Sequence, residues 1–198
     1  MPYARKDLLT WQKGMYYHIY NRGVSKSTLF REPTNYLFVI EKLQKYRLEN
    51  QVAVIAYCLM PNHYHLLLRQ DGEKPAGNVP QFMFNRYSKA YNLRYAHSGT
   101  LLEGRYRAKP IRSTSHLFHL CRYIHGNPVK DGLVADPVDW QWSNYLEFIG
   151  ERKGSLVDLE FIKTQFIDGW TYKQFLFQYL KSRQLPWDIQ RLINELEK

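Results

Sequence analysis

The sequence is poor in cysteine, in long apolar stretches and in repeats. Its 198 residues include two cysteines, Cys58 and Cys121, which form no CxxC pair; this argues against a zinc ribbon or a disulfide framework and predicts two buried thiols. No eighteen consecutive residues are apolar, and the N-terminus lacks the apolar core of a signal peptide. The absence of an internal repeat argues against a solenoid. We therefore expect a cytoplasmic globular protein without a membrane partner.

Acidic residues are also scarce, and the resulting charge is unevenly placed. The chain has 28 Lys and Arg against 18 Asp and Glu. Residues 1–150 hold 20 basic and 11 acidic side chains, so +9 of the net +10 lies there. A basic surface of this size attracts polyanions, most commonly nucleic acid. Sixteen tyrosines and five tryptophans add rings on which unpaired bases can stack, although core packing explains most of them.

Short apolar elements separated by Gly and Pro predict four strands and three helices. We expect strands at 16–22, 52–60, 63–70 and 105–111. We expect helices at 33–49, at about 81–97, and from Ser113 or Thr114 to about Asn127, because Pro128 disfavours helical geometry just before it. Residues 71–80 have the composition of an exposed loop. The order βαββαβ plus a helix predicts an α+β, ferredoxin-like antiparallel sheet with helices on one face.

The last quarter of the chain differs in composition and pattern. Residues 158–167, 171–180 and 188–197 have helical periodicity, with breaks at Gly169 and Pro186. We therefore predict a main domain at 1–150 and a small helical appendage at 151–198. The appendage is nearly neutral, which makes it a poor candidate for holding DNA by charge.

The sharpest local signal is the pair His63 and His65. Residues two apart on a strand point to the same face, so both imidazoles can hold one cation. The pair follows Pro61-Asn62, at the start of a strand and near the rim of the sheet. By itself a His-x-His pair is a weak signal, and packing is an equally ordinary explanation.

A second signal lies on the third predicted helix, where Tyr123 and Asn127 are four residues apart and share one face. A phenol and an amide oxygen are thereby placed side by side. Taken alone, a tyrosine near a helix end is usually packed, and an asparagine before proline usually forms a turn.

Together these segments resemble the REP-associated tyrosine transposases, within the one-tyrosine HUH single-strand DNA transposases that include the IS200-like proteins. The resemblance covers residues 16–150 in order, in the segments YHIYNRG, AYCLMPNHYHLLL, GTLLEGRYRAKPI, CRYIHGNPVKDGLV and WSNYLEFIG. It implies a nickase and strand transferase for single-stranded or hairpin DNA. In this interpretation Tyr123 is the nucleophile, forming a 5′-phosphotyrosine, and His63, His65 and Asn127 bind Mg²⁺ or Mn²⁺.

Two departures from the family pattern affect the expected site. Tyr64 replaces a bulky aliphatic residue between the histidines; facing away from the cation, it should pack in the core. Asn127 stands where many relatives have Gln or Glu, and a shorter neutral side chain predicts weak, exchangeable metal binding.

Other residues receive less specific assignments. Given the resemblance, we favour phosphate contact over a solvated strand face for the basic residues Arg105, Arg107 and Lys109. We also assign Arg22 and Lys130 to DNA binding. His18 is interpreted first as a hydrogen-bonded structural residue, with an outer-shell group or a DNA contact as the alternatives. His116, His119 and His125 are expected on the surface. Tyr87, Tyr91 and Tyr95 are interpreted as packing or base-stacking residues.

Two other functions stay open, as does the choice between monomer and homodimer. A ferredoxin-like sheet can bind single-stranded nucleic acid without catalysis. A metal-dependent hydrolase acting through bound water would need the histidines but not the tyrosine. The sequence does not identify the DNA recognised.

Overall fold

Four strands form one antiparallel sheet at the centre of the protein. In the computed structural model, which describes residues 9–165 and 168–197, the strands are β1 (Tyr16–Arg22), β2 (Val52–Met60), β3 (His63–Gln70) and β4 (Arg107–Ile111). Their order is β2-β3-β1-β4, with antiparallel neighbours. This is the ferredoxin-like topology predicted from the sequence. Every residue of β2 is buried, which explains its continuous apolar run.

Helices α1 (Pro33–Glu49) and α2 (Asn78–Arg94) pack on one face of the sheet. The ring of Tyr64 on β3 stacks on Phe84 of α2, with centroids 4.0 Å apart. The bounds of α1 match the prediction. Leu37 and Leu48 are 55% and 60% exposed, because the aromatic and β-branched residues Tyr36, Val39 and Tyr46 turn inward instead.

Helix α2 begins three residues before its predicted start, inside the segment 71–80 that was expected to be an exposed loop. Pro80 lies in the first turn, where its missing N–H would have no helical partner in any case. Ala76, Val79 and Pro80 are buried, so part of this segment belongs to the core. Tyr87 and Tyr91 are buried on the inner face of α2. Each donates a hydrogen bond to a main-chain carbonyl of the segment before α1.

The helix that carries Tyr123, α3 (Thr114–Lys130), lies on the opposite face of the sheet. Adjacent strand residues point to opposite faces, and His65 meets the Tyr123 ring whereas Tyr64 meets α2. Ser113 caps the helix as predicted, because its Oγ accepts a hydrogen bond from the His116 N–H.

The predicted end of α3 at Asn127 is wrong. The helix continues through Pro128 to Lys130, and the Asp131 N–H closes the last turn on the Asn127 carbonyl. A proline here removes the helical hydrogen bond to the carbonyl four residues earlier. Pro128 is also buried with the residues before it, and that packing favours the continued helix.

Strand β4 is shorter than predicted, since it starts at Arg107 and leaves Arg105 outside. Arg107 pairs with Tyr20 and Lys109 with His18. Directly paired residues share a face of a sheet, so both basic side chains belong to the α3 face.

Beyond residue 140 the described chain forms α4 (Tyr145–Phe148), α5 (Leu159–Gln165), α6 (Gly169–Ser182) and α7 (Trp187–Glu197). The helical periodicity near the C-terminus predicted the last three, although residues 166–167 lie outside the described residues. Helix α6 packs along α3, and α7 packs on β1, β4 and α3. The division at residue 150 stays a prediction. No described helix combines the length and apolar character that a bilayer span requires.

Candidate active site

The paired histidines and the tyrosine face each other across the gap between the sheet and α3. The rings of His63 and His65 lie 5.1 Å apart, between centroids, and the Tyr123 ring is 5.5 Å from that of His65. The chain thus brings together residues that are about sixty positions apart in sequence. No second chain is needed for this arrangement.

Burial favours the neutral form of both imidazoles. Burial lowers the pKa of His63 to about 4, with Lys130 and Arg22 adding to the effect, and burial lowers the pKa of His65 well below its usual value. His63 Nδ1 is 2.7 Å from Asn62 Oδ1, which leaves its Nε2 lone pair available when Nδ1 carries the proton. His65 Nε2 is buried and has no hydrogen-bond partner among the described residues.

His18 is a partner of His65 within the sheet. Its Nε2 lies 3.1 Å from His65 Nδ1, and burial lowers the pKa of His18 to about 3. When His65 donates through Nδ1, its Nε2 keeps a lone pair directed away from His18. His18 is therefore a buried, hydrogen-bonded residue, and its partner is the second histidine of the pair.

The third predicted ligand, Asn127, is buried beside the same gap. Its Nδ2 donates a hydrogen bond to the Tyr123 carbonyl oxygen one turn earlier, at 2.9 Å. This bond orients the amide and leaves Oδ1 for another group. Asn127 and His63 both line a pocket of about 220 Å³. Its other lining residues are Tyr20, Arg22, Lys26, Asn62, Lys130, Asp131 and Glu197.

These groups fit a small divalent cation, although they do not form a cage. No three His, Cys, Asp or Glu side chains in the described parts of the chain are grouped as a metal site. The unpartnered His65 Nε2, the second imidazole and the amide oxygen of Asn127 are nevertheless a suitable donor set for a labile ion. Glu197 Oε1, 3.8 Å from His65 Nε2, adds negative charge nearby.

Tyr123 is almost fully buried, and its hydroxyl donates a hydrogen bond to the Glu197 carboxylate. Burial raises the pKa of the Tyr123 phenol well above 10, and the negative charge of Glu197 raises it further. Lys130 Nζ is 3.5 Å from the same hydroxyl oxygen. The phenol is therefore held protonated between a carboxylate and an ammonium group.

Four of the five basic residues predicted to contact DNA lie on this face. Arg22 and Lys130 line the pocket, and Arg107 and Lys109 lie beside it on β4. Arg105 is separate, because it borders a hollow on the α2 face together with Tyr64 and Phe84.

Helix α7 supplies a feature that sequence reasoning missed. Its acidic side chains meet the basic face: Glu195 pairs with Lys109 at 3.1 Å, and Asp188 pairs with His116. The Glu197 carbonyl oxygen also accepts a hydrogen bond from Arg22 at 3.2 Å. Asp188 and Glu195 are seven residues apart and so share a helix face, which is the signal the sequence offered. The near-neutral total charge concealed it.

The prediction that His125 is a surface residue is wrong, because α6 covers this part of α3. His125 is fully buried between Tyr172 and Asn144, with ring nitrogens 2.6 Å from the tyrosine hydroxyl and 2.9 Å from the amide oxygen. His116 and His119 are half-buried.

The fold and the site define a ferredoxin-like protein whose paired histidines face a tyrosine carried by a helix. Residues 11–127, more than half of the chain, match the sequence model of the IS200-like transposases. The chain belongs to this family of DNA-processing enzymes. No curated protein shows significant sequence similarity to it.

Two solved structures match this chain, and the first of them shares its fold. One is a REP-associated tyrosine transposase bound to a REP hairpin, with a TM-score of 0.64, 19% identity, and coverage of 78% of this chain and 94% of that chain. The other, from Deinococcus radiodurans R1, is described as a transposase; its TM-score is 0.42 at 15% identity, over 61% of this chain and 96% of that chain.

Proposed function

We propose that this transposase is a metal-dependent nickase and strand transferase for single-stranded DNA, and that Tyr123 forms a 5′-phosphotyrosine link. The observation that carries the proposal is the approach of the Tyr123 ring to His65, beside a pocket lined by His63, Asn127 and Lys130. The proposed nucleophile thus lies beside a pocket that contains candidate cation ligands and a basic group. This combination suits attack on a phosphodiester.

The proposed cation ligands are His63, His65 and Asn127. A Mg²⁺ or Mn²⁺ ion bound there would neutralise negative charge on the scissile phosphate. The protein contributes by keeping both imidazoles neutral through burial, so that they offer lone pairs instead of competing positive charge. The hydrogen bond from Asn127 to the Tyr123 carbonyl also fixes the spacing between ligand and nucleophile.

In the reaction itself, the Tyr123 oxygen attacks the phosphorus. A bond forms between that oxygen and phosphorus, and the bond from phosphorus to the 3′ oxygen breaks, with the electron pair leaving on the 3′ oxygen. The phenol loses one proton and the 3′ oxygen gains one, so no proton is consumed. The new phosphotyrosyl ester conserves the energy of the old bond, and a 3′-OH can therefore reverse the step and join strands without ATP.

Glu197 must leave the Tyr123 hydroxyl before a phosphate can reach it. Its carboxylate contacts that hydroxyl and lines the same pocket, and two anionic groups repel each other in a partly buried volume. In the proposed cycle α7 therefore moves when DNA enters. The described contacts hold the free protein in a closed arrangement.

The proposed substrate is hairpin DNA with an unpaired flank. The REP-associated transposase of similar fold was solved with a REP hairpin. At 19% identity this similarity supports a shared fold, and it does not identify the DNA sequence that this chain recognises. We assign Arg22, Arg107 and Lys109 to backbone phosphates near the reaction centre. Arg105 borders a separate hollow on the α2 face. We assign it to DNA that lies outside the reaction centre. Since Tyr123 meets the histidines of its own chain, we propose that it acts in cis, within a monomer.

The test is a denaturing gel with labelled hairpin oligonucleotides and Mn²⁺. The wild-type protein should form a covalent protein–DNA product that disappears on metal chelation and in Tyr123→Phe. Tyr91→Phe is the matched control, because Tyr91 is also buried but lies on the other face of the sheet. It should form the product normally.

The same gel separates the two other candidate functions. A non-catalytic binding protein would form no covalent product, while its affinity would still fall steeply with salt. A hydrolase acting through water would cut in Tyr123→Phe and fail in His63→Ala. Either outcome would overturn the proposal.

A further inference from the structure

Lys130 is the cationic side chain closest to the Tyr123 hydroxyl in the described site. Its Nζ lies 3.5 Å from the hydroxyl oxygen and 4.8 Å from the centre of the phenol ring. The two residues are seven apart on α3, so they occupy one helix face two turns from each other. The ammonium group thus contacts the atom that forms the new bond.

The continuation of α3 through Pro128 creates this contact. Had the helix ended at Asn127, Lys130 would have left the face that carries Tyr123. Instead the final turn is helical and is closed by the Asp131 N–H on the Asn127 carbonyl. Pro128 is tolerated within a buried helix end, and the chain gains an ammonium group fixed to the same element as the nucleophile.

A positive charge beside the Tyr123 oxygen can stabilise the negative charge that this oxygen gains when the phenol loses its proton. Tyr123 is almost fully buried, and a phenolate in such a position is poorly solvated. Arg22 is engaged by the Glu103 carboxylate. Lys130 also stays beside Tyr123 when α7 and Glu197 leave, because it belongs to α3.

The geometry points to Lys130 as a catalytic residue that stabilises negative charge on the Tyr123 oxygen as it attacks phosphorus, and again as that oxygen leaves. This inference rests on the proposed function and deepens it. A fixed charge aimed at the atom where charge develops lowers the barrier without reorganisation. Because attack and departure pass through the same transition state, both directions gain equally, and the equilibrium between free and linked DNA does not change.

The experiment measures single-turnover rates at saturating hairpin DNA in both directions. Adduct formation is followed directly, and the reverse step is started by adding a 3′-OH strand to purified adduct. Lys130→Gln should slow both steps by the same factor, roughly 10- to 100-fold, with the hairpin Kd changed less than about twofold. Lys130→Arg should recover part of the rate. Lys181→Gln, which removes an exposed lysine of α6, is the matched control for lost charge and should not change either rate.

Several outcomes would overturn the inference. A weaker Kd with an unchanged saturated rate would make Lys130 a phosphate contact instead. Unequal effects on the two directions would also contradict a shared stabilisation of the Tyr123 oxygen. Thermal melting shows whether Lys130→Gln is folded, and Lys130→Met provides a second charge-free variant if it is not. Absence of any adduct with wild-type protein would sink the proposed function and the role of Lys130 together, whereas equal rates for wild type and Lys130→Gln would sink only the latter.

Discussion

Two regions of the chain meet at one site with opposite charge. One is the part that matches the family model, and the other is the C-terminal helices. Residues 11–127 supply the tyrosine, the histidines and most of the basic residues around them. Helix α7, from outside that range, places Glu197 against Tyr123 and Glu195 against Lys109. A segment that is nearly neutral in total can thus place its acidic side chains on one face, toward the site. Net charge alone made it look irrelevant to the site.

The largest expected effect is on the rate of adduct formation, and it comes from a proposed cation ligand in the family-matched part of the chain. His65→Ala should reduce adduct formation by more than about 100-fold, because it removes a proposed cation ligand with an unpartnered nitrogen. His97→Ala is the matched control, since that half-buried residue lies at the end of α2, away from the site. Single-turnover rates across a Mn²⁺ titration would measure this. A normal rate and metal dependence in His65→Ala would contradict the proposed cation site.

A second test asks whether the C-terminal helices are packed on α3 as closely as the structure indicates. A Cβ on Gly126 would lie 3.0 Å from the Tyr179 ring and 3.1 Å from Leu180 of α6. Gly126→Ala should therefore lower the free energy of unfolding by about 1–3 kcal/mol through overpacking. Urea denaturation gives the value.

The matched double variant sharpens this test. Leu180→Ala makes room beside Gly126, so the combined variant should be less destabilised than the sum of the single ones. Strict additivity, or a neutral Gly126→Ala, would mean that α6 does not press on α3 in solution. The C-terminal helices would then pack less closely on α3 than the structure indicates.

The smallest effect concerns Glu197 itself. Glu197→Ala should raise the rate of adduct formation by roughly tenfold, equivalent to about 1.4 kcal/mol, because the carboxylate no longer competes with the phosphate for the pocket. Glu160→Ala, an exposed substitution on α5, is the control and should leave the rate unchanged. A slower Glu197→Ala would show that this carboxylate accepts the Tyr123 proton during the reaction.

Much of the fold follows from local sequence. The bounds of β1, α1, β2 and β3 were predicted correctly, because each element is delimited by Gly, Pro or Asn and has a clear apolar pattern. Errors arose where tertiary packing overrides a local rule. Residues 71–80 were expected to form a loop and Pro128 was expected to end a helix, yet Pro80 and Pro128 are both buried within helices.

The site was predictable only in its family-matched half. His63 and His65 alternate on a strand, and Tyr123 and Asn127 share a helix turn, so spacing alone suggested each pair. Nothing local to α7 indicates that Glu197 meets Tyr123, since that contact joins residues 74 positions apart. The burial of His125 likewise depends on α6, which no pattern around residue 125 reveals.

The central claim is that one specific phenol carries the DNA, and peptide mass spectrometry of the adduct tests it most directly. Trypsin should release residues 123–130, YIHGNPVK, which contain a single tyrosine. After nuclease treatment this peptide should carry a 5′-linked nucleotide on Tyr123. A nucleotide on any other peptide, such as those with Tyr87 or Tyr91, would contradict the account.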